Sequence, residues 1–193
     1  MLGEGNPSAM LVSPSGSDRY SLGLLWDRAV EAGHAPAVEE ALRAIVPDLA
    51  RIYPLSGPLE NRAFYLELSN NPRPVPLRNM GDGTHRVFNL VLSLIRASDG
   101  VLLVDEIENG LHYSVLVEVW RALLVLASRL NVQIFATTHS WDCLRAFAEV
   151  SIHTNGVDGM LHRLERLHDG KLRTVEFDED DMALVTRQNI EVR

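Results

Sequence analysis

Asp105 and Glu106 directly follow the apolar run Val101-Leu102-Leu103-Val104. A buried parallel strand that ends in two carboxylates can handle a magnesium ion and a water at the sheet's carboxyl edge. Hydrolysis of a nucleoside triphosphate needs both: the ion neutralises charge, and a carboxylate orients or activates the attacking water. Asp105 is therefore the candidate metal ligand and Glu106 the candidate catalytic group. A strand that merely ends in two solvated acids is the plainer alternative. Met80-Gly81-Asp82-Gly83-Thr84-His85-Arg86 stands just before an apolar helical stretch. Its glycines let backbone approach an anion, and a helix N-terminus offers free N–H groups. Gly81, Gly83, Thr84 (a hydroxyl) and Arg86 (a charge) are thus candidate phosphate-binding residues, against an ordinary glycine turn with a threonine cap. The third element is Phe135-Ala136-Thr137-Thr138-His139-Ser140. His139 falls 33 positions after Glu106 (139 − 106), enough for one helix and the return strand of a right-handed crossover. That spacing sets His139 beside the carboxylates, where it can polarise or hydrogen-bond a terminal phosphate.

The elements that must position these residues form an alternating series. Residues 84–97 read as a helix, 101–104 as a strand, 115–129 as a helix, 132–137 as a strand and 141–148 as a helix. Such alternation marks a parallel sheet covered by helices. Upstream, Ser17 or Asp18 can cap a helix reaching about residue 33, with Leu22, Leu25, Trp26 and Val30 on one face. A second helix is expected over 37–45, a strand over 64–68 and a proline-rich turn over 70–76. The first eighteen residues, rich in Gly, Ser and Pro, read as a loose start. Downstream, two strands are expected at 160–166 and 172–177 and a closing helix at 180–188.

Bulk properties narrow the function classes. The chain has 193 residues, 46% hydrophobic and 23% charged, which suits a soluble globular protein with a real core. A net charge of −8 argues against broad nucleic-acid binding by this chain alone, so nucleic acid is expected only through a complex. One cysteine, Cys143, excludes an internal disulfide and fits a reducing cytoplasm. No signal-peptide pattern is evident, and no uncharged apolar run reaches the roughly 20 residues a membrane span needs. The chain holds a single lysine, Lys171, so the Gly-x-x-x-x-Gly-Lys-Ser/Thr loop that grips phosphates (Walker A) does not occur in it.

Taken together, Gly-Asp-Gly-Thr, Asp-Glu-Ile-Glu-Asn-Gly-Leu-His and Thr-Thr-His-Ser resemble the C-terminal half of an ABC-type ATPase core. They are most similar to prokaryotic AAA/ABC ATP-binding proteins related to the overcoming-lysogenisation-defect proteins. The resemblance implies an α/β fold, a partial P-loop NTPase with a parallel sheet flanked by helices and an α-helical N-terminal portion. Residues 1–76 would be a helical lobe remnant and 77–193 the C-terminal part of the core. By the same likeness residues 81–84 correspond to the signature motif, Asp105-Glu106 to Walker B, 108–112 to the D-loop region and His139 to the switch histidine. The sequence departs from the common pattern in three places: Gly81 replaces the signature serine, His112 holds the D-loop aspartate position, and Walker A is missing. The implied cofactors are ATP and Mg²⁺. The implied partner is a second copy, as a homodimer, or a lobe or chain bearing Walker A; a fragment of a longer ATPase is the favoured explanation. On this reading the chain alone would bind ATP weakly and turn it over little.

Two other classes compete with ATP hydrolysis: a non-catalytic interaction module on a degenerate ATPase fold, and a metal-dependent, nuclease-associated phosphodiesterase using Asp105, Glu106, His139 and the acidic run Asp178-Glu179-Asp180-Asp181. A solvated helix start explains that run more simply. His153, His162 and His168 have no partners at metal-ligand spacing. Trp26, Trp120 and Trp141 and the lone cysteine read as packing residues.

Overall fold

A computed structural model of the chain describes residues 8–55, 62–154, 156–167, 169–178 and 180–182. The element order begins with β1 (Ala9–Val12), α1 (Arg19–Glu31), α2 (Ala35–Leu42), β2 (Leu49–Pro54), β3 (Phe64–Leu68) and β4 (Asn71–Pro76). It continues with α3 (Asp82–Arg96), β5 (Val101–Val104), α4 (Leu116–Leu130), β6 (Gln133–Ala136), α5 (Trp141–His153), β7 (Leu161–Arg166) and β8 (Leu172–Phe177). The expected α/β architecture is present. A three-stranded parallel sheet runs in the order β1-β5-β6, an antiparallel sheet in the order β2-β3-β4, and β7 and β8 pair as a hairpin.

Helix α3 is the axis of the molecule. From Arg86 to Ile95 every residue is buried, as is Thr84, and the helix packs against α1, α2, α4 and β1. The helix buries its polar positions Arg86, Asn89 and Ser93 together with its apolar ones, so it lies inside the core rather than on its surface. Phe88 on α3 meets Phe64 of β3 at 4.9 Å and Trp26 of α1 at 6.0 Å between ring centroids, tying the antiparallel sheet to the helical layer. Asp18 caps α1 by accepting from Ser21 N, as the sequence suggests.

Several expectations need correction. Residues 9–12 do not form part of a loose start: they form β1, which pairs in parallel register with β5 from Ala9↔Val101 to Val12↔Val104. The strand is short and its preceding Gly/Ser composition hides it, so tertiary pairing decides its conformation. The proline-rich stretch over 70–76 is not a turn but the strand β4. Among the described residues it pairs with β3 alone, and an edge strand can carry Pro72, Pro74 and Pro76 because their missing N–H groups need no partner on the outer side. Strand β2 adds to the two expected N-terminal helices, so the N-terminal portion is helical and stranded together. Helix α5 runs on past residue 148 to His153. Of the closing helix expected over 180–188, residues 180–182 are helical and the rest lies outside the described residues.

The parallel sheet is covered on one face. Val12, Leu102 and Val104 point to the helical layer and are buried, with Leu102 fully so. Their neighbours in alternation, Leu11, Leu103 and Phe135, lie in one register row across the sheet. They are 66%, 38% and 53% exposed. Parallel sheets ordinarily bury both faces, so this apolar row is unusual. Among the described residues, β6 pairs with β5 alone.

Candidate functional site

The carboxyl ends of β1, β5 and β6 converge on one turn. The β5–β6 register, Val101↔Gln133 through Val104↔Ala136, sets Asp105 opposite Thr137 when carried one residue further. Thr137 N donates to Val104 O at 2.9 Å and Ile107 N donates to Thr137 O at 3.1 Å, stitching the two strand ends together. On the other side Asp105 N donates to Val12 O at 3.0 Å. The Thr137 hydroxyl lies between the two acids: it donates to Asp105 Oδ1 at 2.5 Å and accepts from Glu106 N at 2.9 Å. Asp105 is exposed and Glu106 half-buried. Glu106 has φ +46°, a left-handed backbone uncommon for a residue with a side chain.

The turn after Glu106 is braced from three directions. Asn109 Nδ2 donates to Pro14 O at 3.1 Å, reaching the loop that follows β1. The Glu108 carboxylate accepts from His139 N at 3.0 Å through Oε1, and its Oε2 is buried without a hydrogen-bond partner among the described residues. Arg86 closes the third side from α3. Its Nη1 donates to Ser13 O at 2.7 Å, and its Nη2 donates to Asp105 O and Glu106 O, both at 2.9 Å. Burial lowers the pKa of this guanidinium, opposed by the attraction of Glu108, Asp105 and Glu106.

The residues singled out by sequence do come together, but not all in the expected roles. Asp105, Glu106 and His139 share the strand-end cluster, with His139 exposed and joined to Glu108 through its backbone. Gly81 has φ +85° at the start of α3, and a side chain there would meet nothing within 4 Å, so this backbone is open to a ligand. Gly83 is different. A Cβ on it would lie 3.1 Å from the Gly110 carbonyl, so the residue makes room for the loop after the acidic turn rather than for an anion. The Thr84 hydroxyl donates to Met80 O at 3.1 Å, within its own helix start, and Thr84 is buried. The Arg86 charge faces inward onto the three carbonyls above, not outward to a phosphate. His112 caps the 3-10 turn Tyr113–Val115, bonds to Ser114 and stacks on Tyr113 at 4.3 Å. Lys171 sits in the β7–β8 hairpin, paired with Asp169.

Sequence reading missed Thr137 and Glu108 as members of the cluster. Thr137 was within reach, since one fixed parallel register relates it to Asp105. Glu108 carried no such signal, because only the fold of the turn brings it to the His139 amide. Helix α5 begins at this cluster with Ser140 as its cap, accepting from Cys143 N at 3.3 Å. Burial pushes the Cys143 thiol up to about 11, marking it as a packing residue rather than a nucleophile.

The profile of a family described as "AAA domain, putative AbiEii toxin, Type IV TA system" matches residues 17–142, which include all three motifs. A curated relative, an "ATP/GTP phosphatase" of Helicobacter pylori (strain ATCC 700392 / 26695), is 26% identical over 136 residues, covering 66% of this chain. The chain spans about a third of that relative's length, 32%. Among solved structures, one reported under ATP-driven dimerization and DNA-stimulated activation of SMC ATPases superposes with a TM-score of 0.56 at 12% identity, covering 89% of this chain and 99% of that one. The SMC head domain from Thermotoga maritima gives 0.54 at 14% identity, over 87% of this chain and 53% of that one. Identities this low establish a shared fold: the chain has the α/β architecture of an SMC head ATPase domain.

Proposed function

Because the chain belongs to this AAA-domain family, we propose that it supplies the water- and magnesium-handling half of an ATP-hydrolysing, ABC-type site. In this reading a P-loop-bearing lobe or partner chain completes the site, and the assembly acts as a dimer whose closure drives a conformational change. The observation that carries the reading is the locked Asp105–Thr137–Glu106 cluster at parallel strand ends, next to an uncovered sheet face. The exposed row Leu11–Leu103–Phe135 and the outer edge of β6 are where the completing strand and helix would pack.

The donor set fits magnesium only as a shared ligand. Among the described residues no group of three or more His, Cys, Asp or Glu side chains could hold a metal by itself. Magnesium keeps waters and takes one or two carboxylates together with substrate phosphates, which a single exposed aspartate can satisfy. Asp105 is that ligand: Thr137 fixes one oxygen, and the other takes no hydrogen bond from the described residues. Bound there, the ion would neutralise phosphate charge. Glu106 accepts the proton of the attacking water, and His139 hydrogen-bonds the terminal phosphate. Gly81, with its open left-handed backbone, offers N–H donors at the start of α3; Thr84 braces that loop through Met80 O, while Gly83 and Arg86 seat the helix start against the acidic turn. A metal-dependent nuclease would need a further ligand beside Asp105 and Glu106, which none of the described residues provides.

A Glu106→Gln substitution tests the reading. The substituted chain, mixed with a chain carrying the P-loop lobe, is expected to accumulate an ATP-dependent complex by light scattering while hydrolysis falls about 10²–10⁴-fold. The unsubstituted chain alone is expected to bind ATP weakly in calorimetry with Mg²⁺ and to show little turnover. Tight ATP binding by the chain alone would overturn the proposal of a completing lobe.

A further inference from the structure

We infer that Arg86 is a positioning residue: by bonding the carbonyls of Ser13, Asp105 and Glu106 it holds Glu106 in the left-handed conformation that aims its carboxylate. The inference rests on the proposed role of Glu106 as the group that activates water.

The geometry is specific. Along an extended strand successive carbonyls point to opposite sides. Here the consecutive carbonyls of Asp105 and Glu106 both reach the single atom Nη2, each at 2.9 Å. Only a local reversal of the alternation brings them to one side, and the φ of +46° at Glu106 supplies it. Such a conformation persists only where surroundings over-determine it. Arg86 is the part of the surroundings suited to this: a planar fork of five donors, buried to 6% exposure. Its Nη1 ties the same fork to Ser13 O at the end of β1, so the turn is referenced to two strands and one helix at once. Thr137 holds the turn from the opposite side through Glu106 N. Nothing in this arrangement requires Arg86 to touch nucleotide, and its terminal nitrogens are already engaged. It also lies on the helix whose first turn contains Thr84.

The test compares residues 1–193, isotope-labelled, with Arg86→Lys and Arg86→Met. The readout is the pair of three-bond couplings across the Glu106 φ bond, amide-to-Hα and amide-to-carbonyl, which together fix the sign of φ, with far-UV circular dichroism for the fold. Arg86→Met is expected to move the Glu106 couplings away from the left-handed values while the helical signal is kept, with Arg86→Lys in between. In the completed ATPase the same Met variant is expected to lower kcat roughly ten- to a hundredfold, with the KM for ATP within about twofold of its original value. Unchanged Glu106 couplings in Arg86→Met would sink the inference, as would a raised KM with kcat retained, the mark of direct phosphate contact. If the Met variant does not fold, Arg86→Lys and Arg86→Gln, which keep part of the donor set, carry the same coupling measurement. Should no completing chain restore hydrolysis even without substitution, the ATPase reading fails, and the Glu106 couplings still decide the role of Arg86.

Discussion

Thr137 is a small side chain with two tasks, since one hydroxyl donates to Asp105 and accepts from Glu106 N. Replacing it with valine keeps the shape and removes both bonds. Thr137→Val is expected to cost about 1 kcal/mol in urea unfolding, because the freed groups are exposed or half-buried and water replaces part of the loss. The effect on hydrolysis in the completed enzyme should be larger than that on stability, since Asp105 loses the bond that orients it. Cys143 gives a pH signature at the same scale. Its thiol titrates at about 11 in the folded chain against an ordinary value of 9.0, because burial penalises the thiolate. A raised folded pKa means that the stabilisation is fully present below pH 9 and is lost as pH rises through about 11. Unfolding free energies measured from pH 8 to 11 should fall across that window, by at most roughly 3 kcal/mol in total, and Cys143→Ala should flatten the fall. The thiol should also resist alkylation at pH 8 until the chain unfolds.

At the scale of elements, β1 shows how closely backbone packing sets the sheet. A Cβ on Gly100 would stand 2.1 Å from Ser8 O and 2.8 Å from Ser8 N, where Val101 N donates to Ser8 O. Gly100→Ala must therefore push β1 away from β5. It is expected to destabilise the chain by about 1–3 kcal/mol, and the amides of residues 9–12 should lose exchange protection first. The same strand explains what could and could not be read from sequence. The β5–α4–β6 unit was legible because its apolar runs, helix lengths and crossover spacing agree with one another. So was the meeting of Asp105, Glu106 and His139 at the strand ends. Strands β1 and β4 were not, because Gly/Ser composition before one and three prolines in the other outweigh any local strand signal, and only pairing with β5 and β3 selects their conformation. Arg86 was legible as important but not in its direction. A basic residue after a glycine loop suggests an anion, whereas the fold turns it toward carbonyls.

For the molecule as a whole, the asymmetry of the parallel sheet dominates. One face is packed on α3, while the other presents Leu11, Leu103 and Phe135 to solvent. Exposed contiguous apolar surface of this kind mediates association. Phe135→Ser with Leu103→Thr should leave the helical layer undisturbed. It should also reduce concentration-dependent association of the isolated chain in sedimentation experiments and abolish complementation by a P-loop-bearing lobe. If complementation survives, the lobe docks elsewhere.

Helix α3, buried from Arg86 to Ile95 among α1, α2, α4 and β1, has a consequence in time rather than in space. The amides of that buried stretch meet solvent only when the surrounding layers come apart, so their exchange must be governed by global unfolding. The β7–β8 hairpin, which leaves Leu164 and Leu172 bare, needs no such event. Two clocks thus run in one chain, a slow one for the helix that holds the acidic turn and a fast one for the hairpin beyond it. Whatever reshapes this protein during a working cycle must move α3 as a rigid body, because melting it would take the whole fold with it.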